Sequence, residues 1–459
     1  LRAAGGIACD SFFDATNTEG GETVTRRRVR YPETFFALAL LFLTATPAFP
    51  AGFSVFAQGA KASGLGLAFT AVADDPSAIF YNPAGLGWQK HFSVQAGGSL
   101  LSKLEGEFEG ANPFPGTAFG VEDQHKTSFL LPTVYAVVPL TPNVNFGLGI
   151  FAPYGLGFRW DDAEQFSGRF VAQNAVIRSA DINPVVSFQL APSLSIAAGA
   201  DYRVSKVQLE RNRAAINPFT QSVVDVAHIK LDSEMTDNTG WGWNAGLLWK
   251  PINALSLGAS YRSKIEIDYE GTGTFTQRPT GNTAFDAVVA AQLPQGDQDV
   301  AVTIEFPASA NFGVAFNLPA DFMLSLEADW MEWSSFDELF IDFENVTIPD
   351  LDRVTSWEDA WAYRAGLQKK FGAFAVRAGY YRDESPQPLA DVGPILADAD
   401  RNAYTLGIGY DTERWGVDIS DIYIDFDDRD TRGEVNTDQF FGTYSETANL
   451  IAVSLRLSF

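Results

Sequence analysis

The chain has 459 residues, with 40 glycines, 13% aromatic and only 19% charged side chains, a composition that suits many short amphipathic strands joined by turns. Beyond the N-terminal leader no run of about 18 apolar residues occurs, which excludes helical membrane spans. The net charge of −25, with no basic patch to offset it, argues against a nucleic-acid partner.

Residues 1–51 read as a leader with a signal peptide. Arg26, Arg27, Arg28 and Arg30 form a basic region, Phe35 to Leu43 an apolar core, and Thr46 to Ala51 a small-residue zone with cleavage expected after Ala48 or Ala51. Residues 1–25 resemble no leader and are read as the product of a start site set too early. The single cysteine, Cys9, falls in this stretch. The mature chain must then be stabilised by topology rather than by disulfides, and closure of a barrel provides that.

Residues 52–90 carry no alternation and are rich in small side chains. About forty residues are too few for a domain but enough for a plug inside a lumen. Asp75-Pro76 predicts a helix start, with Asp75 at the cap and Pro76 in the first turn, and Asn82-Pro83 predicts a turn.

From residue 91 to 459 the pattern has period two, which means strands with one apolar and one polar face. Fourteen are expected, starting near residues 91, 127, 144, 176, 194, 239, 254, 300, 321, 359, 373, 401, 415 and 447. Short turns such as Thr141-Pro142-Asn143 and Pro251-Ile252-Asn253 alternate with long, often acidic loops such as 212–238 and 382–400, as in outer-membrane barrels. Trp241, Trp249, Tyr404 and Tyr410 fall near strand ends, where an aromatic girdle belongs. The predicted fold is therefore all-β: a fourteen-stranded antiparallel transmembrane barrel with an N-terminal helical hatch.

Four strands are singled out. In the third, Val144, Phe146, Leu148 and Ile150 face lipid by parity, until Pro153 removes a ladder donor and Gly155 loosens the backbone. Pairing should open near 152–157, unless Pro153 simply ends the strand. In the fifth, parity puts Val207, Leu209 and Arg211 in the lumen, an apolar lining followed by a cation that suits a carboxylate with a tail. The alternative for Arg211 is a loop-base arginine paired with an acid. In the seventh, Leu255 to Tyr269 reads as one long strand, with Arg262, Lys264, Glu266 and Asp268 forming a charged lumenal row. The last strand puts Ile451, Val453, Leu455, Leu457 and Phe459 on one face and stops on an aromatic.

Chemistry finds no foothold. His91, His125 and His228 are scattered, and there is no nucleophile elbow, metal-ligand spacing or phosphate-binding glycine loop. No enzyme activity, cofactor or metal is expected.

Gly52-Phe53, Ser63-Gly64-Leu65-Gly66, Ala73-Asp74-Asp75, Asn82-Pro83-Ala84, Leu131-Pro132, Tyr154-Gly155, Trp241 to Gly246, Tyr261-Arg262-Ser263, Asp383 to Pro386 and the final Phe459 occur in order along the mature chain. In this series the chain resembles the long-chain fatty acid transporters of the outer membrane, which include the aromatic-hydrocarbon uptake proteins. The resemblance implies capture of a hydrophobic ligand by extracellular loops and passage to a lumenal pocket closed by the hatch. The ligand then leaves sideways into the bilayer through a kink in the third strand. It implies gating by Asn82, Pro83 and Ala84, with Asn82 capping unpaired backbone at the kink, and a lateral opening at Phe151, Pro153, Tyr154 and Gly155. Arg211 corresponds to a basic ligand residue of the family across a two-residue insertion. At Trp357-Glu358-Asp359, where fatty-acid members can carry lysine, this chain has Glu358, which leaves room for a neutral hydrocarbon.

The expected function is passive uptake of long-chain fatty acids or similar hydrophobes by a monomer in the Gram-negative outer membrane. Its other partners would be membrane lipid, lipopolysaccharide and the barrel assembly machinery, which would recognise Phe459. Rival readings are neutral aromatic hydrocarbon uptake by the same route, an open porin for polar solutes, favoured by the charged row, and a structural barrel without transport.

Overall fold

The computed structural model describes residues 52–459 apart from 112–119, 127, 236, 346–347 and 434; the expected leader lies outside the described residues. Fourteen strands form the wall: β1 Ser93–Ala111, β2 Phe129–Thr141, β3 Val144–Phe151, β4 Asn174–Ala191, β5 Leu194–Ile216, β6 Thr239–Ile252 and β7 Leu255–Arg262, then β8 Ser309–Leu318, β9 Phe322–Met331, β10 Ala360–Phe371, β11 Phe374–Asp383, β12 Arg401–Asp411, β13 Trp415–Phe426 and β14 Phe441–Ser458. Each pairs antiparallel with the next. β14 returns to β1 in a register running from Ser93↔Ser458 to Ala111↔Phe441. The sheet is closed, so no strand lies at an outer edge of it. Phe459 lies just past β14, where its N–H donates to the Phe92 carbonyl at 2.9 Å and its ring stacks on Phe92.

Below the extracellular rim the alternation is apolar-out. Trp241, Trp243, Leu247 and Trp249 on β6 are exposed, as are Ile451, Val453, Leu455 and Leu457 on β14. An outward apolar band of this kind can only face hydrocarbon.

The long seventh strand is not one strand, and the charged lumenal row is not lumenal. The ladder of β7 stops at Arg262 and a second segment, Ile265–Gln277, begins two residues later. The break at Ser263-Lys264 exchanges the two faces. Leu257 and Tyr261 point outward, whereas Ile265, Ile267 and Tyr269 are buried inside. Arg262 alone of the row is buried; Lys264, Glu266 and Asp268 are exposed on the outer surface. There Lys264 Nζ pairs with Glu305 at 2.7 Å and Asp268 accepts a hydrogen bond from Thr303 Oγ1. The neighbouring strand breaks at the same level, between Gln298–Phe306 and β8 at Pro307-Ala308. Alternation hid both breaks, because a strand that shifts by one residue keeps period two while swapping its sides. Above the breaks the wall is apolar inside and polar outside, which is the pattern of a sheet standing in water.

Residues 52–89 fill the lumen. They hold two short helices, α1 Ala60–Ser63 and α2 Ala78–Tyr81, and a 3₁₀ turn, Pro83–Trp88. The helix expected to be capped by Asp75 is capped by Ser77, two residues later; Asp75 Oδ1 accepts from Ser77 N and Oγ, holding the turn that leads into it. Barrel side chains satisfy the segment's backbone. Thr70 N and Oγ1 donate to Glu327 at 2.7 and 2.9 Å, Gly66 N to Thr405 Oγ1 at 3.0 Å, and Ala60 N to Ser454 Oγ at 3.0 Å. Contact is backbone to backbone at Gly379, where a Cβ would lie 2.1 Å from Gly66 N.

Candidate functional site

Pro153 has no N–H to offer the ladder, and the wall opens beside it. Pairing between β2 and β3 ends at Val134↔Ile150. Past that level the chain resumes as Gly155–Arg159, whose ladder is with β4 alone although Arg159 O accepts from His125 N at 2.8 Å, while Phe129–Thr133 of β2 have their ladder with β1 alone. Among the described residues no ladder pair joins the two strands above Ile150.

The freed backbone groups of the kink are taken up by the lumenal segment. Val55 N donates to Pro153 O at 2.6 Å, and Gly155 N donates to Phe53 O at 2.8 Å. Gln58, wholly buried, grips Ala152 from both sides: Nε2 donates to its carbonyl at 2.7 Å, and Oε1 accepts from its N–H at 3.3 Å. Tyr154 O accepts from Ser179 Oγ at 2.6 Å, and Tyr154 Oη donates to Pro307 O at 3.1 Å. Phe151 is buried against Phe80, with ring centroids 5.2 Å apart.

Asn82 does not cap this kink. Its Nδ2 donates to Thr70 O at 2.8 Å and to Leu247 O of β6 at 3.0 Å, and its Oδ1 accepts from Ala84 N. Asn82 and Pro83 sit over Gly246, where a Cβ would meet both. The residue that does cap the kink is Gln58. Its available signal was a lone amide between Ala57 and Gly59 in an otherwise small and apolar stretch.

Above the kink lies an open cavity whose space, with the solvent at its mouth included, is about 1050 Å³. Leu156, Ile177, Val207, Leu209, Ile304 and Trp357 line it, and Phe53 forms part of its floor. The Phe53 ring meets Trp333, Phe336 and Phe306 at centroid distances of 4.7, 5.4 and 5.8 Å. One side chain thus touches the cavity while its backbone is paired to the kink.

Val207 and Leu209 therefore line the cavity; Arg211, two residues on, does not. Its Nε is buried without a hydrogen-bond partner. The cation at the cavity is Arg353, on the short strand Leu351–Val354 inside what the sequence presents as a loop. Its Nη1 contacts Asp438 Oδ1 and Oδ2 at 2.7 and 3.0 Å, and Nη2 donates to Asp391 O at 3.1 Å. Burial pushes the Asp438 carboxyl above its ordinary range, against the pull of the Arg353 guanidinium. Glu358 is exposed and away from the cavity, its N–H donating to Pro386 O.

A family described as outer membrane protein transport protein (OMPP1/FadL/TodX) matches residues 41–459. A long-chain fatty acid transport protein of Escherichia coli O6:H1 is 23% identical over 410 residues, 83% of this chain and 88% of its own. A 47 kDa outer membrane protein of Pasteurella multocida is 24% identical, covering 86% and 92%. Among solved structures, a Pseudomonas aeruginosa FadL homologue superposes with a TM-score of 0.76 at 22% identity, covering 89% of this chain and all of the other. The P. putida toluene transporter TodX gives 0.68 at 18% identity, covering 84% and 94%.

Proposed function

The chain belongs to the outer membrane protein transport family (OMPP1/FadL/TodX), and from that premise we propose that it takes up long-chain fatty acids or similar hydrophobic compounds passively and releases them sideways into the outer membrane. The ligand enters through the extracellular loops and loses its water shell in the apolar cavity, with no energy source beyond that transfer. It leaves through the wall between β2 and β3, where Phe53, Val55 and Gln58 must first let go of Ala152–Gly155. Phe53 links the two events, because a ligand that displaces its ring pulls on the backbone paired with Gly155.

The observation that carries this reading is the end of the β2–β3 ladder at Val134↔Ile150 directly beside an apolar cavity. An open porin has lost its motive, since Lys264, Glu266 and Asp268 face outward. Replacing Pro153-Tyr154-Gly155 with Val-Thr-Val tests the route. We expect uptake of a labelled hydrophobe to be lost from a barrel that still assembles and still migrates as a compact species on unheated gels. Normal uptake through the sealed strand would refute lateral exit. Single-channel recordings should show no large steady current.

A further inference from the structure

The cavity's polar end is electrically balanced, and the balance is local. Arg353 and Asp391 line it. Arg353 is engaged by both carboxylate oxygens of Asp438 and by the Asp391 carbonyl. The Asp391 carboxylate accepts from Ser356 N at 2.7 Å and from Thr437 Oγ1 at 3.4 Å. Arg211 lies within electrostatic reach of Asp438 and forms no ion pair of its own among the described residues. Asp438 thus sits between two guanidinium groups, hydrogen-bonded to Arg353 and within the field of Arg211, and with Asp391 these four charges sum to zero.

The uncharged polar groups at the cavity are committed too. The Gln387 amide donates to Asp391 O and Leu396 O and accepts from Asp398 N. Thr355 Oγ1 donates to Phe336 O, and Tyr269 Oη donates to Ser205 Oγ. Asp232 is paired with Lys206 and Lys230. A carboxylate brought into this cavity would give up its hydration and find its nearest cation already neutralised, which is unfavourable in an apolar enclosure. An uncharged hydrophobe has no such loss.

We propose that this cavity selects uncharged hydrophobes over carboxylates, and that Asp438, by neutralising Arg353, is its specificity-determining residue. The proposal rests on the transport reading above and narrows it to one class of cargo. Asp438 holds the cation that a fatty acid would otherwise claim. Removing its charge leaves the polar end with a surplus of one positive charge, held by an arginine whose planar fork fits a carboxylate.

The test is a competition between 1-dodecanol and dodecanoate, equal in chain length and different in charge. Purified full-length protein is offered both at pH 7.5, and the bound species are read by native mass spectrometry. The wild type should retain dodecanol over dodecanoate by about tenfold or more, a difference of about 1.4 kcal/mol. Asp438→Asn should shift that ratio about tenfold toward dodecanoate, Asp438→Glu should restore it, and Arg353→Gln combined with Asp438→Asn should return the preference to dodecanol. Should Asp438→Asn fail to assemble, Asp438→Ser frees Arg353 in the same way and carries the same expectation. Equal or better retention of dodecanoate by the wild type would overturn the proposal, as would an unmoved ratio in the asparagine or serine variant. Retention of neither ligand would overturn the transport reading itself, and with it this one.

Discussion

Tyr154 Oη donates to the carbonyl oxygen of Pro307 at 3.1 Å, and this one bond joins the kink after β3 to the break before β8 on the far side of the lumen. Arg203 reinforces the pair. Its guanidinium lies 4.4 Å from the Tyr154 ring centroid and 4.7 Å from that of Phe306, while Nε and Nη2 each donate to Asp181 at 2.7 Å. Two interruptions in the wall are held as one unit.

Tyr154→Phe keeps the ring contacts and leaves the Pro307 carbonyl unpaired, a loss of about 1–3 kcal/mol. The barrel should assemble normally, while amide exchange at 152–157 accelerates and uptake becomes faster because the kink is less firmly held. Unchanged exchange protection would mean that the hydroxyl does not restrain the kink.

Gln58→Leu strands both the N–H and the carbonyl of Ala152 in a buried site. The cost should be about 2–4 kcal/mol, since two groups lose their partners. Asn82→Ala removes a cap from Ala84 and one donor to Leu247 O, worth about 1 kcal/mol. Hydrogen exchange should therefore rise around Ala152 in the first variant and around Gly246–Leu247 in the second. A rise at Ala152 in both would return Asn82 to the kink.

Gly379→Val puts a Cβ against Gly66 N, a clash with backbone that no rotamer relieves. The lumenal segment should be unable to seat against β11. Channel openings absent from the wild type should appear in planar bilayers, with the wall intact by circular dichroism. A silent channel would show that the segment seats without this contact.

Binding of a permanently ionised amphiphile, dodecyl sulfonate, should strengthen as pH falls. Burial raises the Asp438 carboxyl, so it takes up a proton at a higher pH than an exposed aspartate near 3.9. Protonation uncovers Arg353 and adds one positive charge to the polar end. The increase belongs to the pH range above 3.9 and should vanish in Asp438→Asn. A pH dependence that survives the substitution would assign the effect elsewhere.

The wall was legible from alternation because each membrane strand meets lipid on one side, and Trp241, Trp243 and Leu247 declare that side unaided. The lumenal parity of Val207 and Leu209 followed from the same rule. What alternation could not reveal is a change of side at constant period: Tyr261 and Ile265 are both apolar and four residues apart, yet one faces out and the other in. Gln58 was missed for a different reason. Its partner, Ala152, is 94 residues away, and no local pattern encodes such a distance. Arg353 and Asp438 come from two separate loops, and only the folded chain brings them together.

The exchange of faces above Ser263 also decides where a guest first becomes dry. Ile265, Ile267 and Tyr269, with Ile422, Ile424 and Phe426 of β13, turn inward above the lipid-facing belt. The outer side there carries Lys264, Glu266, Asp268, Asp421 and Asp425. From Ile265 to Tyr269 this collar runs about 13 Å along the strand, at about 3.3 Å per residue. A hydrophobe captured inside it has already exchanged water for protein while still outside the hydrocarbon. Its later step through the wall is then a move between two oily phases, and the costly polar layer between them is never crossed.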